Sequence, residues 1–395
     1  MKKTLFLSIA LLSVVSVFAQ NEKAVLQKAD RLIAQRQYAT AYSLLDEFDP
    51  TNDCPAILLQ KENIMLNYFV QSINHMVFSL QDLKPGDNLD SIRANFESGT
   101  MIPFMADSLL KRLIAKSPDD CALLCGYARY YNALLNDYNA DLWDGYVDSA
   151  CLALLRRASA KECGCPDASY QLGLSYNMDG QDDSAAYYFC RTLDITDTHW
   201  HAHYNLGVIL YGAERYTEAL PHFRTALHGY KDPVMKADAA HALGIIFSDY
   251  LNLPDSAYFY LQAAHTLIPY DFGYATNLLS LPLNSGDSRA NDLIDTCWHL
   301  ALEGDQALHD AQFLVQLCLS SNAGDRISAF LNSRLLLADN DYERGLCHFL
   351  FGIYDLEGDD ASIRHLEQAV HFFILDGAPD EFIFQLQQII EEKKN

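Results

Sequence analysis

Basic residues, prolines and long apolar segments are scarce in this chain. Its 28 lysines and arginines stand against 52 aspartates and glutamates, a formal net charge of −24, which argues against binding to nucleic acid or to an anionic membrane surface. Only 12 prolines interrupt the chain, and beyond its first residues no segment is apolar enough to span a bilayer. Runs that alternate apolar and polar residues between turns are also missing, so the sequence predicts no β domain.

Motifs for catalysis, cofactors and metals are missing as well. No phosphate-binding glycine loop, nucleophile elbow or Cys/His/Asx protease signature is present, so we expect no enzyme activity and no cofactor. His199 and His203 have the spacing of a two-histidine metal pair on one helical face, but no glutamate stands between them and no third ligand is identifiable. Cys163 and Cys165 lack the separation of common zinc knuckles. We therefore predict no metal site and place the histidines on a polar aromatic rim.

A repeat occupies the middle of the chain. A Leu-Gly pair is followed 12 or 13 residues later by an alanine and then by apolar residues at helical spacing. The first two pairs are 34 residues apart and the third follows after 37, which indicates repeated structural units. The repeated residues are Leu172, Gly173, Ala185 and Phe189, then Leu206, Gly207, Ala219 and Phe223, then Leu243, Gly244, Ala257 and Pro269.

Helix packing explains this spacing. Gly207 and Ala219 carry little or no side chain, so two antiparallel helices can cross closely at these positions. The apolar residues around them recur about every 3.6 residues and form a stripe along each helix. One helix pair cannot cover its own stripe, so neighbouring pairs must stack.

These residues resemble the tetratricopeptide repeat. The resemblance implies an all-α, right-handed solenoid of about nine stacked antiparallel helix pairs. We expect three clear units over 166–271, degenerate pairs over 20–165 and 272–378, and a capping helix over 379–395. A helix from Ala56 to Leu80 would pair with one over 102–117, with an inserted loop at about 83–101.

The N-terminus has the pattern of a secretory signal peptide. A basic Met1-Lys2-Lys3 start precedes an apolar run from Leu5 to Val15, and Val17-Phe18-Ala19 supplies small residues before a cleavage point. The apolar run is shorter than the roughly 20 residues of a membrane anchor, and no cysteine follows the cleavage point. We therefore expect residues 1–19 to be removed, leaving a soluble, non-lipidated protein that is periplasmic or secreted.

Removal of Lys2 and Lys3 leaves 26 basic against 52 acidic residues in the mature chain, a net charge of −26. We interpret this charge first as a solvated acidic exterior that keeps a solenoid soluble. The same surface could attract a basic segment or cations.

The ten cysteines all follow the predicted signal peptide. They matter because disulfides persist in exported proteins. If Gly126 and Ala150 form the close-packing pair of one unit, Cys125 and Cys151 flank that crossing and could form a disulfide. Buried thiols acting as small apolar residues are the alternative.

In the family that the repeat resembles, ligands lie against the first helix of each pair. Carried over by position, the implied contact residues are Tyr170, Asn177, His201, Tyr204, Tyr211 and His241, and Asn205, one position beyond a contact position, is added to them. The alternative is that residues such as Tyr204 pack against the neighbouring unit. The Lys, Arg and Asn residues with which some members clamp a C-terminal carboxylate are absent from the matching sites, so we do not expect chaperone-tail binding.

Two functions remain open from the sequence. One is a non-catalytic exported scaffold or adaptor that binds a peptide or protein partner in its concave groove. The other is a periplasmic small-molecule or glycan binder that uses the same aromatic and histidine-lined concavity, with the 83–101 insertion as a lid. The sequence predicts neither the partner nor the oligomeric state.

Overall fold

The computed structural model describes residues 21–137, 149–160 and 163–394. The predicted signal peptide lies outside the described residues. The chain divides into two compact units, unit 1 (Met1–Ala202) and unit 2 (His203–Asn395). Among the described helices, none combines the length and the apolar character needed to cross a bilayer.

Unit 1 is a series of packed helices with a small inserted sheet. Its helices are α1 (21–34), α2 (Tyr38–Phe48), α3 (Pro55–Tyr68), α4 (Leu89–Ala94), α5 (Ala106–Lys116), α6 (Cys121–Asp137), α7 (Ser149–Ser159), α8 (Pro166–Met178) and α9 (Asp182–Ile195). Helix α2 packs against α3, and each helix from α5 to α8 packs against the next. The first helices α3, α6 and α8 also contact one another in that order.

Unit 2 consists of helices throughout its described residues. They are α10 (Trp200–Gly212), which begins at the end of unit 1, α11 (Tyr216–Gly229), α12 (Pro233–Ile245), which continues into a π-helical turn (Ile246–Tyr250), α13 (Pro254–Leu267), α14 (Phe272–Ser285), α15 (Arg289–Glu303), α16 (Ala307–Ser320), α17 (Gly324–Leu337), α18 (Asp341–Ile353), α19 (Asp359–Leu375) and α20 (Asp380–Lys394). The predicted all-α, tetratricopeptide-like stacking of antiparallel helix pairs is confirmed within each unit.

The inserted sheet is the departure from that prediction. Strands β1 (Phe69–Ile73), β2 (Val77–Leu80) and β3 (Met101–Pro103) form an antiparallel sheet in the order β1-β2-β3. The predicted helix from Ala56 to Leu80 is therefore wrong beyond Tyr68. Asn74 and His75 both have a positive φ, of 50° and 48°, which reverses the chain between β1 and β2.

The three repeated glycines lie where helices approach most closely. A Cβ atom on Gly173 would stand 2.6 Å from the Phe189 ring, and one on Gly207 would stand 3.0 Å from the Phe223 ring. At Gly244 the close neighbour is Leu261. The other repeated residues Leu172, Ala185, Leu206, Ala219, Leu243 and Ala257 are buried, whereas Pro269 is exposed. The repeat spacing therefore reflects packing between the two helices of each pair.

The interval between the second and third repeated glycines is longer than the first interval because α12 has extra residues before its glycine. This helix begins at Pro233, one helical turn farther ahead of its glycine than α10, which begins at Trp200. Asp232 caps the added turn, since its side chain accepts hydrogen bonds from the backbone N–H groups of Val234 and Met235. The extra residues thus lengthen a helix and leave the glycine contact in place.

The disulfide of unit 1 differs from the predicted one. Cys121 of α6 is bonded to Cys163, in the loop before α8, at a sequence separation of 42. Cys125 and Cys151 both remain thiols, so the predicted Cys125–Cys151 bridge is wrong.

The orientation of Gly126 accounts for this error. A Cβ atom on Gly126 would stand 2.3 Å from Leu59 Cδ2, which places this glycine against the preceding first helix, α3. Ala150, its presumed packing partner on α7, is exposed. Gly126 and Ala150 therefore do not form a helix crossing, and a bridge between the adjacent Cys125 and Cys151 does not follow from their positions.

Candidate functional site

Four polar side chains of unit 2 meet between the first helices α12 and α14. We call them the polar cluster: Asp238 and His241 on α12, and Tyr274 and Asn277 on α14. The Tyr274 hydroxyl donates to Asp238 Oδ1 at 2.5 Å across 36 residues, and Asn277 Nδ2 lies 2.9 Å from His241 Nε2, also across 36 residues. Asp238 and His241 are three residues apart on α12, as are Tyr274 and Asn277 on α14, so the two bonds lie about one helical turn apart along the same pair of helices.

Burial sets the protonation states in the polar cluster. It lowers the pKa of His241, although the charges of Asp238 and Asp271 act in the opposite direction. Burial is also the main cause of the raised pKa of Tyr274, and the hydrogen bond that its hydroxyl donates to Asp238 is the second cause. The Asn277 amide nitrogen can only donate, so His241 Nε2 accepts and the neutral ring carries its proton on Nδ1. All four side chains are partly accessible.

Tyr204 of α10 stands close to the polar cluster. Its ring meets those of Phe223 and Tyr230 edge to face, with centroids 5.6 and 6.4 Å apart. Burial raises the Tyr204 pKa and the charge of Asp238 adds to the increase. Tyr204 is half-buried, as is the neighbouring Asn205, so both predicted contact residues combine packing with some exposure.

Tyr211 belongs to a separate group at the other end of α10. Tyr216 and Tyr250 stack with centroids 3.8 Å apart, and the Tyr211 and Tyr250 hydroxyls lie 3.1 Å apart. Tyr250 is 44% exposed. Tyr211 therefore lies in a tyrosine cluster at the turn between helices.

The predicted contact residues of unit 1 have less uniform surroundings. Tyr170 is only 5% exposed, and its ring packs against His199 at 4.4 Å and Phe189 at 5.8 Å. Its assignment as a partner contact is thus wrong for this structure, because the ring fills the space between helices. His201 is half-buried, with its pKa lowered by burial, and Asn177 is exposed near the end of α8.

Sequence reasoning missed a second array of polar side chains, on the first helices of unit 1. Arg129 Nη2 of α6 lies 3.2 Å from Glu62 Oε2 of α3. Asn132 of α6 donates to Asp167 Oδ1 at 3.1 Å and accepts from Gln171 Nε2 at 2.6 Å. We call these five residues the buried array after Glu62 and Gln171, which are fully inaccessible, whereas Asn132 and Asp167 are half-buried and Arg129 is exposed.

Carboxyl burial dominates the electrostatics of the buried array. It raises the pKa of Glu62 to about 8, against the opposing charge of Arg129, and raises that of Asp167 in the same way. Glu62 is therefore mainly protonated near neutral pH. In the described structure, Glu62 Oε1 and Gln171 Oε1 have no hydrogen-bond partner.

A cleft of about 610 Å³ opens beside the buried array. Leu26, Leu59, Asn63, Cys125 and Arg129 contribute to its lining. The described residues contain no group of three or more His, Cys, Asp or Glu side chains placed to hold a metal ion.

Comparison with known proteins finds no matching family model and no matching curated sequence. Among solved structures, the chain is similar to MamA from Desulfovibrio magneticus RS-1 at 20% identity, over 46% of this chain and 97% of that one, with a TM-score of 0.37. It is also similar to YrrB, described as a TPR protein with an unusual peptide-binding site, at 18% identity over 51% and 96% of the two chains, with a TM-score of 0.41. PilF of Pseudomonas aeruginosa gives 18% identity over 54% and 93%, with a TM-score of 0.41. These similarities concern the fold.

Proposed function

We propose that this protein is an exported, non-catalytic interaction module that binds an extended peptide segment of a protein partner. The polar cluster of unit 2 carries this proposal. It presents partly accessible Asn, His, Tyr and Asp side chains on two neighbouring first helices. Export rests on the sequence pattern of residues 1–19.

The chemistry of the polar cluster suits a peptide. A peptide backbone offers donors and acceptors at regular intervals, and the cluster supplies both kinds of group. Its side chains are already held by cross-helix hydrogen bonds, so binding immobilises few of them and loses less free energy. Nearby Tyr204 adds a ring surface of low conformational entropy.

Charge indicates the kind of peptide. Asp238 and Asp271 both act on His241, and the chain as a whole carries a net charge of −24. We therefore infer a preference for segments with lysine or arginine, since opposite charges speed association and select among partners.

A displayed library of random peptides tests this function. The wild-type protein should enrich peptides with basic residues, and His241→Ala should weaken their binding by more than about 1 kcal/mol. The matched control is His228→Ala, because His228 is an exposed histidine on the second helix α11. Equal binding by both variants would refute the assigned face. A glycan array in parallel tests the alternative function, which glycan capture without peptide enrichment would favour.

A further inference from the structure

Four cysteines of unit 1 lie at one place between α6 and the loop before α8. Cys121 and Cys125 are one turn apart on α6, and Cys163 and Cys165 flank a single glycine. The disulfide joins Cys121 to Cys163. Cys125 and Cys165, both thiols, pack into the same hydrophobic core, and the pKa of each thiol responds to the other. The two pairs therefore lie side by side.

The loop backbone holds Cys165 in this position. Gly164 has a φ of +59°, a left-handed conformation that favours glycine, and its N–H donates to Ala160 O at 3.0 Å. The Cys165 N–H donates to Ala158 O at 3.3 Å. The neighbouring Cys121–Cys163 bridge keeps its two Cα atoms 5.0 Å apart, so helix and loop are already fixed next to each other.

We propose that Cys125 and Cys165 are an oxidation site that forms a second disulfide on reaction with a low-molecular-weight disulfide such as oxidised glutathione. Two bridges would then join α6 to the start of α8. The signal pattern of residues 1–19 supports the proposal, since disulfides persist in exported proteins.

Accessibility and charge give the two thiols different roles. Cys125 is half-buried and lines the 610 Å³ cleft, whereas Cys165 is 2% exposed. The hydrogen bond with Cys165 lowers the pKa of Cys125, and the charge of Arg129 acts in the same direction. The same hydrogen bond, followed by burial, raises the pKa of Cys165. Cys125 is therefore the nucleophile.

The reaction is two successive thiol–disulfide exchanges. The Cys125 thiolate attacks one sulfur of oxidised glutathione, which forms a mixed disulfide and releases one glutathione thiolate. Cys165 gives up its proton and attacks the Cys125 sulfur, which releases the second glutathione thiolate. Two cysteine thiols are thereby oxidised to one disulfide, and one oxidised glutathione is reduced to two glutathione molecules.

Thiol counting tests the proposal on the full chain. The folded protein is incubated with oxidised glutathione, quenched in acid, unfolded and alkylated, and its mass is measured. The eight thiols present beside the single disulfide should fall by two, with no glutathione retained. All eight thiols remaining alkylatable would overturn the proposal.

Two variants identify the pair that reacts. In Cys121→Ser/Cys163→Ser, peptide mapping without reductant should find a bridge between Cys125 and Cys165. In Cys165→Ser, which keeps the native disulfide, the reaction should stop at a stable glutathione adduct on Cys125. Absence of that adduct would overturn the proposal even if the double variant fails to fold. The control Cys54→Ser removes another half-buried thiol of unit 1 and should still lose two thiols.

Discussion

The two units stabilise similar helix stacks by different means. Among the described residues, unit 1 buries Lys61, Glu62 and Gln171 completely, whereas the one buried charged residue of unit 2 is Glu343. Glu343 accepts from Trp298 Nε1 at 2.9 Å and pairs with Arg334 at 2.7 Å. Unit 1 also contains the inserted sheet and the disulfide. Specific polar contacts are therefore a larger part of the interior of unit 1 than of unit 2.

The largest expected effect concerns Lys61 of unit 1. Its ammonium group donates to Asp46 Oδ1 at 2.8 Å and to Asp49 O and Asn52 Oδ1 at 2.7 Å each. Lys61→Met would remove three hydrogen bonds from a charged donor, at roughly 1.5 kcal/mol each, so we expect a loss of about 3–5 kcal/mol in the free energy of unfolding. Urea denaturation measures it. Lys28→Met, at an exposed position of α1, should change stability little. Equal losses in the two variants would mean that the hydrogen bonds of Lys61 do not stabilise the fold.

Gly207 provides the corresponding test in unit 2. Gly207→Leu should overpack the contact with Phe223 and cost about 1–3 kcal/mol, because even a Cβ atom would stand 3.0 Å from that ring. Thermal unfolding followed by circular dichroism gives the comparison. Gly212→Leu is the control on the same helix, since a Cβ atom there meets nothing within 4 Å. An unchanged melting temperature for Gly207→Leu would contradict the repeat packing.

Smaller effects should appear as pH dependence, and unit 1 should lose stability toward alkaline pH. Burial raises the Glu62 pKa from 4.5 to about 8, so folding favours the protonated carboxyl group. The contribution of Glu62 to the free energy of unfolding is complete below pH 4.5 and is lost as the pH rises to 8. Urea unfolding across this range should show a decline in the wild type that is absent from Glu62→Gln. Parallel pH profiles would contradict the buried, protonated state.

The pH dependence has the opposite sign for His348 of unit 2, whose contribution to stability is lost toward acidic pH. Burial, followed by the charge of His365, lowers the His348 pKa from 6.5 to about 4, and the two Nδ1 atoms lie 2.8 Å apart. Its contribution is complete above pH 6.5 and is lost as the pH falls to 4, because only the unfolded state then binds a proton. The decline should be smaller in His348→Phe. An unchanged decline in urea unfolding would show that His348 is not its source.

The sequence could predict the parts of the molecule that follow from close helix packing. Gly173, Gly207 and Gly244 have a recognisable spacing because side chains stand so near to each of them. The inserted sheet escaped prediction because its strands are short and Phe69 directly continues an apolar helix. Short strands lack the length that makes alternation recognisable.

The candidate sites were predicted less completely than the fold. His241 and Tyr204 could be found from repeat positions, but their partners Asn277 and Phe223 depend on which side chains meet across helices. Glu62 and Arg129 lie 67 residues apart in degenerate units, where no spacing marks them as a pair. Contacts between units of irregular length require the three-dimensional structure.

Cross-linking of a bound peptide tests the central claim most directly. A selected basic peptide with a photoreactive residue is bound to the full chain, irradiated, and mapped by mass spectrometry. The account predicts cross-links on α12 and α14 around His241 and Asn277, and their loss in Asn277→Ala. Cross-links confined to the inserted sheet or to the cleft beside Arg129 would contradict it, since recognition would then belong to unit 1.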